Sequence, residues 1–186
     1  MLKKIYYKEL WNKHFRASFI EVNKAMNISK FDEEFMIIKA ENMQSANVYS
    51  VVQTTIQEIY PRYYTDEVVH FFLELHSVEA ISEDISKGMV YVFMCGDTIA
   101  ATGTIEGNHI NRVYVLPEYR GKGVGKRIMD YLEDIILKSY NEIWVDASLP
   151  AGGFYQKRGY ATKDHQEYQL ENDKILAYEV MCKVVL

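Results

Sequence analysis

The sequence is poor in cysteine, in proline and in long apolar runs. Its 186 residues include two cysteines, Cys95 and Cys182, which are far apart and form no CxxC pair. This excludes a disulfide scaffold and a zinc ribbon, and it is compatible with a reducing compartment. No apolar run approaches the roughly 18 residues of a membrane-spanning helix, and residues 1–8 lack the apolar stretch of a signal peptide. We therefore predict a cytoplasmic protein that does not associate with a membrane.

An excess of positive charge is also missing. Lysine and arginine total 21 against 26 aspartates and glutamates, which gives a net charge of −5. This balance argues against a nucleic-acid partner and suits a cationic or neutral substrate. We find no metal-ligand pattern around His70 and His76 and predict no metal. Apolar residues make up 48% of the chain, which is enough for the core of one domain of ordinary size.

The first 34 residues differ in charge from the rest of the chain. Residues 1–30 carry a net charge of +5, which leaves −10 for the remainder. Apolar side chains recur there at spacings of four, four, three and four, which predicts one stripe of a helix. The stripe consists of Trp11, Phe15, Phe19, Val22 and Met26. Such a basic helix can lie on a membrane or an acidic partner. We favour a helical extension over residues 1–34 that docks on its own domain or across a homodimer.

From residue 35 onward the pattern alternates between strands and helices. Strands are predicted over residues 35–40, 89–95, 98–105, 109–115 and 143–146, with two more around residues 172–173. Helices are predicted over residues 46–59, 65–75, 124–136 and 150–158. Ser148 is expected to cap the last of these helices, because Pro150 follows it. The order βααβββαβαββ predicts an α/β domain with a mixed sheet and one β-α-β crossover.

A glycine-rich segment lies between the strand ending at Val115 and the long helix. Its residues are Arg120, Gly121, Lys122, Gly123, Val124, Gly125 and Lys126. Backbone N–H groups of glycines can approach a ligand closely, and a helix N-terminus favours anions. The spacing GxGxG is neither that of a P-loop nor that of GxGxxG. The segment is therefore either a pyrophosphate cradle or an ordinary glycine-rich turn.

A second segment, residues 147–160, makes the cradle the better interpretation. It reads Ala-Ser-Leu-Pro-Ala-Gly-Gly-Phe-Tyr-Gln-Lys-Arg-Gly-Tyr. Residues 113–125 and 147–160 together resemble the two motifs of the GNAT superfamily of acetyl-CoA-dependent N-acetyltransferases. The resemblance spans residues 35–186 and departs from the pattern at Ser148, where Asn is frequent, and at Tyr160, where Phe is.

The resemblance implies a GNAT-like fold: a mixed, mostly antiparallel central sheet with a splayed parallel strand pair, flanked by helices. It also implies that acetyl-CoA binds in the gap between the splayed strands. The implied contacts are the main chain of Val113 and Val115, residues 120–126 on the pyrophosphate, and Ser148. A backbone N–H near Val115 is expected to hold the thioester oxygen.

The resemblance further implies that Tyr155 is the acid that protonates the departing thiolate. A phenol is protonated at neutral pH and can donate; the alternative is that Tyr155 only packs against the cosubstrate. Many relatives carry a base six residues before the position of Val115, which is His109 here. An imidazole can accept the proton of an attacking ammonium, or His109 can be an ordinary residue at a strand end. Glu106 and Asp146 are the reserve candidates for the base.

Two functions remain open from the sequence. One is an enzyme that acetylates a primary amine, either a small molecule or a protein amine, by direct attack on acetyl-CoA. The other is a non-catalytic acyl-CoA-binding module that recruits a partner. The acceptor site is expected around residues 60–88. Tyr60, Tyr63, Tyr64, Asp66 and Glu67 there form either an aromatic, acidic pocket or a helix start with solvated charges.

Overall fold

The structure is a computed structural model that describes residues 35–170 and 173–185. The chain divides into two compact units, residues 1–36 and residues 37–186. The amphipathic helix predicted for the extension over residues 1–34 lies outside the described residues. Among the described residues, no helix is both long enough and apolar enough to cross a membrane.

The described residues form a mixed sheet with helices inserted between its strands. The strands are β1 (Phe35–Lys39), β2 (Val90–Cys95), β3 (Thr98–Glu106), β4 (His109–Val115), β5 (Glu142–Ser148), β6 (Ala161–Gln169) and β7 (Ile175–Val184). The α-helices are α1 (Ser45–Ile59), α2 (Asp66–Leu75), α3 (Val78–Ser86), α4 (Val124–Ile136) and α5 (Gly152–Lys157). Short 3₁₀ helices follow α1 and precede the glycine-rich segment.

Helix α3 is absent from the predicted order, which had two helices between β1 and β2. The Ser77 hydroxyl caps this helix by accepting the Ala80 N–H at 3.2 Å. Ile81 and Ile85 are buried and fix the helix to the core. Val78, Ile81 and Ile85 recur at helical spacing, so the sequence carried the signal for this helix and the prediction missed it.

The strand order is β1-β2-β3-β4-β5-β7-β6. The pairs β2–β3, β3–β4, β5–β7 and β6–β7 are antiparallel, whereas β4 and β5 are parallel. This confirms the mostly antiparallel sheet with one parallel pair. Within residues 35–170 that pair has a single register position, His109 opposite Trp144. The two strands separate after it, which is the predicted splay.

A bulge in β4 lies beside this opening. The β3–β4 register shifts between Thr102 and Thr104, and Arg112 adopts a left-handed conformation with φ of 53°. Opposite the bulge, a Cβ on Gly103 would lie 2.6 Å from Leu132 Cδ1. A side chain at this position would therefore force the Leu132 side chain of α4 to shift. Val113 Cγ2 is also close to this point, so the Val113 side chain faces α4.

Helices cover both faces of the sheet and so bury its centre. Because side chains alternate along a strand, Tyr114 points to the face opposite Val113, where it meets Tyr60 after α1. The core includes Ile56, Ile81 and Val92. The gap between β4 and β5 thus opens between two packed layers rather than at a loose edge.

Candidate active site

A cavity of about 410 Å³ lies where β4 and β5 separate. It is lined by Tyr60, Phe71, Phe72, Leu75, His76, Asp84, Met89, Thr104, Glu106, Ile110, Asn111, Arg112, Val113, Tyr114, Asp146, Ser148, Ala151, Tyr155, Tyr168, Leu176 and Tyr178. Its size is typical of a small-molecule site. Of the site residues predicted from sequence, Val113, Ser148 and Tyr155 line it.

Beyond His109, the β4 edge that faces the gap pairs with no strand of the described part of the chain. Leu116 N–H donates to Ala100 O at 2.9 Å, on the β3 side. Because successive residues of a strand turn their backbone groups to opposite edges, the Val115 N–H faces the gap. The Val115 carbonyl receives the Thr55 hydroxyl at 3.4 Å. The Val115 N–H is therefore available as a donor to an extended ligand or to a developing negative charge.

The glycine-rich segment leads directly into the start of α4. Gly121 and Gly123 have φ of 71° and 80°, and a Cβ on either would meet nothing within 4 Å. Gly123 is the residue before the helix and supplies no side-chain cap to the first N–H groups. Open space, left-handed glycines and uncapped N–H groups at the N-terminus of a 13-residue helix together suit a phosphate group.

The other members of the segment have different surroundings. Val124 is buried and can contribute only its backbone. A Cβ on Gly125 would make ordinary van der Waals contacts with Val115 Cγ2 at 3.6 Å and with Phe154 Cζ at 3.7 Å. Lys126 Nζ lies 2.7 Å from Asp130 Oδ2 and is exposed.

The basic side chains of the segment lie around the helix start. Arg120 and Lys122 are exposed, and Lys122 Nζ lies 5.7 Å from the centre of the Tyr119 ring. The segment thus offers exposed cations around an array of backbone donors.

Tyr155, the predicted acid, lies on α5, and its buried side chain forms part of the cavity wall. It is 6% exposed and makes edge contacts with Phe154 and Tyr160 at 5.4 and 5.5 Å. No hydrogen bond of its hydroxyl is seen within the described residues. Burial raises its pKa above the ordinary value, Tyr60 adds to the rise, and Arg158 opposes it. The phenol is therefore protonated and uncommitted at neutral pH.

The prediction that Ser148 caps α5 is wrong. Strand β5 continues to Ser148, which pairs with Tyr178 of β7, and α5 begins at Gly152 after Ala151. Ser148 Oγ instead lies 3.1 Å from the Tyr60 hydroxyl, which lies 3.3 Å from the Tyr114 hydroxyl. Burial raises the pKa of both tyrosines. Sequence reasoning did not anticipate this chain of three hydroxyls.

The three candidate bases cluster at the end of the gap where β4 and β5 still pair. His109 Nε2 is buried without a hydrogen-bond partner in the described part of the chain. It lies 3.6 Å from Asp146 Oδ2, and Glu106 lies opposite His109 in the β3–β4 register. Asp146 and Glu106 line the cavity, whereas His109 is not among the lining residues. Of the three candidate bases, the two reserve candidates are therefore the ones that reach the cavity surface.

A second polar cluster was not predicted. Arg112, held by the bulge, pairs with Asp84 Oδ2 at 2.5 Å and donates from Nε to His76 Nδ1 at 3.2 Å. Burial, with a smaller contribution from the Arg112 charge, lowers the pKa of His76 to about 3. His76 is thus neutral, and since Nδ1 accepts, its proton is on Nε2. The sequence offered no signal, because Asp84 and His76 reach β4 only through the unpredicted α3 and its connection.

The residues proposed for an acceptor pocket are mostly elsewhere. Tyr60 lines the cavity, but Tyr63 is exposed. The Tyr64 hydroxyl accepts the Leu149 N–H at 2.7 Å and donates to Ala177 O at 3.2 Å. Asp66 and Glu67 form the first turn of α2, as in the alternative interpretation of solvated charges. Besides Tyr60, Tyr114 and Tyr155, the aromatic lining comes from Phe71 and Phe72 of α2 and from β6 and β7.

Among residues 35–170 and 173–185, no three His, Cys, Asp or Glu side chains are grouped so that they could hold a metal ion.

Comparison with known proteins identifies one family. A family model described as an acetyltransferase (GNAT) domain matches residues 59–180, which is more than half of the chain. No curated protein matches the sequence.

Solved structures of several acetyltransferases share the fold. A GCN5-related N-acetyltransferase from Rhodopseudomonas palustris is 24% identical with a TM-score of 0.73, over 81% of this chain and 95% of that chain. The PaiA N-acetyltransferase from Thermoplasma acidophilum, in complex with coenzyme A, is 19% identical with a TM-score of 0.64, over 81% and 98%. A GNAT-family acetyltransferase from Streptococcus pneumoniae is 15% identical with a TM-score of 0.63, over 82% and 100%.

Proposed function

The chain belongs to the GNAT acetyltransferase family, and from that premise we propose that it transfers an acetyl group from acetyl-CoA to a primary amine. The observation that carries this proposal is the position of the open β4 edge. It lies between the start of α4, which suits an anion, and the buried Tyr155 phenol, which has no hydrogen-bond partner within the described residues. The coenzyme A bound to the Thermoplasma acidophilum relative supports the choice of donor. The acceptor is a small-molecule amine or a protein amine.

In this proposal the donor lies along β4. Val113 and Val115 bind its extended arm through main-chain groups, as an added strand would bind. Gly121 and Gly123 leave room for the phosphates, whose charge the first N–H groups of α4 stabilise. The remaining contacts come from Arg120, Lys122, Val124, Gly125, Lys126 and Ser148. Acetyl-CoA supplies the activated acetyl thioester.

Residues of the chain then carry out two proton transfers. A primary ammonium has a pKa of about 10 and must lose a proton before it attacks. Asp146 and Glu106 line the cavity, and His109 Nε2 lies 3.6 Å from Asp146 Oδ2. One of these three residues accepts the proton, directly or through water. Tyr155, kept protonated by burial, gives a proton to the departing sulfur. The Val115 N–H stabilises the carbonyl oxygen as it gains charge.

Binding of acetyl-CoA to a matched pair of glycine variants tests the donor site. Gly121 and Gly96 both have positive φ, and a Cβ on either meets nothing within 4 Å. Aspartate tolerates such a conformation better than most residues. Gly121→Asp places a carboxylate where phosphates are proposed, so acetyl-CoA Kd measured by calorimetry should rise at least about tenfold. Gly96→Asp, at the β2–β3 turn, should leave Kd unchanged. An unchanged Kd in Gly121→Asp would contradict the proposed cradle.

Release of free CoA with a panel of primary amines tests the reaction. Amine-dependent release by the full chain supports the enzyme. Tight acetyl-CoA binding with no release for any amine would favour the alternative, a non-catalytic module that recruits a partner.

A further inference from the structure

The aromatic side of the cavity has a feature that the proposed chemistry does not use. Phe71 of α2 and Tyr168 of β6 stack at its mouth, with ring centres 5.5 Å apart and planes at 29°. Tyr168 is 54% exposed although it lies beside a cavity. β6 is at the edge of the sheet. Because Tyr168 is exposed there, its ring is not needed to fill the core.

The same wall continues inward with apolar side chains. It comprises Phe71, Phe72, Leu75, Tyr168, Leu176 and Tyr178, which come from α2, β6 and β7. Leu75 is also exposed. Exposed apolar groups gathered at one concave surface are typical of a ligand site rather than of general protein surface.

The opposite part of the lining is acidic. The lining residues include Asp84, Glu106 and Asp146 against Arg112, which gives a net charge of −2 when His76 is neutral. Arg112 is already paired with Asp84. Within the described part of the chain, Glu106 has no ion pair, and Asp146 has only the 3.6 Å contact with His109.

The two remaining carboxylates lie at one end of the cavity rather than along it. Glu106 is opposite His109 in the strand register, and Asp146 is beside His109. The cavity is thus acidic at one end and aromatic along α2, β6 and β7. A ligand with a single cationic end and an apolar body matches this division, whereas an amine with cations along its whole length would place charge against aromatic and aliphatic side chains.

We propose that the acceptor is an arylalkylamine, with its amine near Glu106 and Asp146 and its ring against Phe71 and Tyr168. This inference rests on the proposed acetyltransferase function and narrows its substrate class. The ring gains contact area and aromatic edge or stacking interactions on Phe71 and Tyr168. The acidic end attracts the ammonium and then accepts its proton.

The test compares kcat/KM for 2-phenylethylamine, n-butylamine and spermidine with saturating acetyl-CoA. The wild-type chain should prefer 2-phenylethylamine over each of the others by at least about tenfold. In Tyr168→Leu, which keeps apolar bulk but removes the ring, the ratio of 2-phenylethylamine to n-butylamine should fall several-fold. Tyr168→Phe should retain the ratio. Tyr140→Ala, which removes an exposed tyrosine outside the cavity lining, is the control and should also retain it.

The outcomes separate the inference from the function on which it rests. Equal or better use of n-butylamine or spermidine would overturn the aromatic acceptor while leaving the enzyme intact. An unchanged ratio in Tyr168→Leu would overturn the assigned role of the wall. No turnover with any of the three amines, in protein that binds acetyl-CoA, would overturn the inference alone, and CoA release with the wider panel of small-molecule and protein amines would then decide the proposed function.

Discussion

Tyr155 and Tyr160 are five residues apart in one motif, yet their hydroxyls have opposite surroundings. Both are buried, at 6% and 3% exposure, and the centres of their rings are 5.5 Å apart in an edge contact. Burial raises the pKa of each. The Tyr160 hydroxyl donates to Glu133 Oε1 at 3.1 Å, whereas that of Tyr155 has no partner within the described residues and lies at the cavity.

The difference follows from the polar groups that surround each hydroxyl. Glu133 is 5% exposed and is satisfied by Arg158 at 3.0 Å and by Lys183 at 2.8 Å, besides Tyr160. This cluster joins α4, the end of α5 and β7. A buried polar group is costly unless it is paired, so the Tyr160 hydroxyl is committed to structure. The Tyr155 hydroxyl has no such partner within the described residues, so it remains the candidate acid of the proposed reaction.

The largest expected effect is on the rate when Tyr155 loses its hydroxyl. In Tyr155→Phe, kcat should fall by roughly 10²–10⁴-fold, the usual contribution of a general acid, while acetyl-CoA Kd and thermal stability change little. The ring and its packing remain, so the loss belongs to the transition state. Steady-state kinetics and calorimetry measure the two quantities. Near wild-type kcat would make Tyr155 a packing residue and remove the contrast with Tyr160.

The next effect is on stability when the partner of Tyr160 loses its charge. Glu133→Gln should lower the free energy of unfolding by about 3 kcal/mol, because it leaves the Arg158 and Lys183 charges partly unpaired inside the protein. Chemical denaturation measures the change. The matched control is Glu83→Gln, which breaks only an exposed pair with Lys87 and should cost well under 1 kcal/mol. Equal losses in both variants would mean that the buried cluster contributes no more than a surface pair.

His76 is a further buried group with a fixed partner, because its Nδ1 accepts a hydrogen bond from Arg112. Its effect on stability is expected to depend on pH. Its pKa is lowered to about 3 by burial and by the Arg112 charge, so below pH 6.5 the unfolded chain binds a proton that the folded chain does not. Stability is therefore complete above about pH 6.5 and falls as the pH decreases, by about 2 kcal/mol at pH 5. His76→Asn keeps an acceptor near Arg112 and should lose less stability between pH 7 and 5.

Denaturant unfolding at pH 7 and at pH 5 measures this difference. His70→Asn is the control, because His70 is exposed on α2, the helix whose C-cap is His76, and lies beside Glu74. It should leave the pH dependence as in the wild type. A wild-type chain with equal stability at both pH values would show that His76 is not held neutral.

The strands that carry the proposed donor site were predictable because local rules determine them. The turns at Gly96 and Gly107 both have positive φ, which glycine provides, and they bound β3 and the start of β4 as expected. Helix α4 begins and ends as its apolar periodicity indicates. The parallel opening followed from the family resemblance rather than from the pattern itself.

The rest depended on contacts between distant segments. Ser148 looks like a helix cap locally, but pairing with Tyr178 keeps it in β5. Arg112 has a left-handed conformation that no sequence rule assigns to arginine, and its partners come from the turn and helix before β2. The aromatic wall joins α2 to β6 across nearly a hundred residues. Of the aromatic and acidic residues expected around residues 60–67, Tyr60 alone lines the cavity, and tertiary packing supplies the other aromatic and acidic side chains from distant segments.

The smallest effect tests the other half of the comparison, the hydroxyl that is committed to structure. Tyr160→Phe keeps the ring and removes one hydrogen bond to Glu133, whose Oε1 still has Arg158 at 3.0 Å. Because no charge is left unpaired, the expected loss is only about 1 kcal/mol, or a fall in Tm of about 2–4 °C for a chain of this size. Acetyl-CoA Kd and kcat should stay within about twofold, since the hydroxyl faces Glu133 rather than the cavity. Measured beside Tyr155→Phe, the pair should show opposite responses: a slow and stable protein in one case, a fast and slightly less stable one in the other. A large drop in kcat for Tyr160→Phe without a loss of stability would mean that the buried cluster, rather than the free phenol, sets the rate.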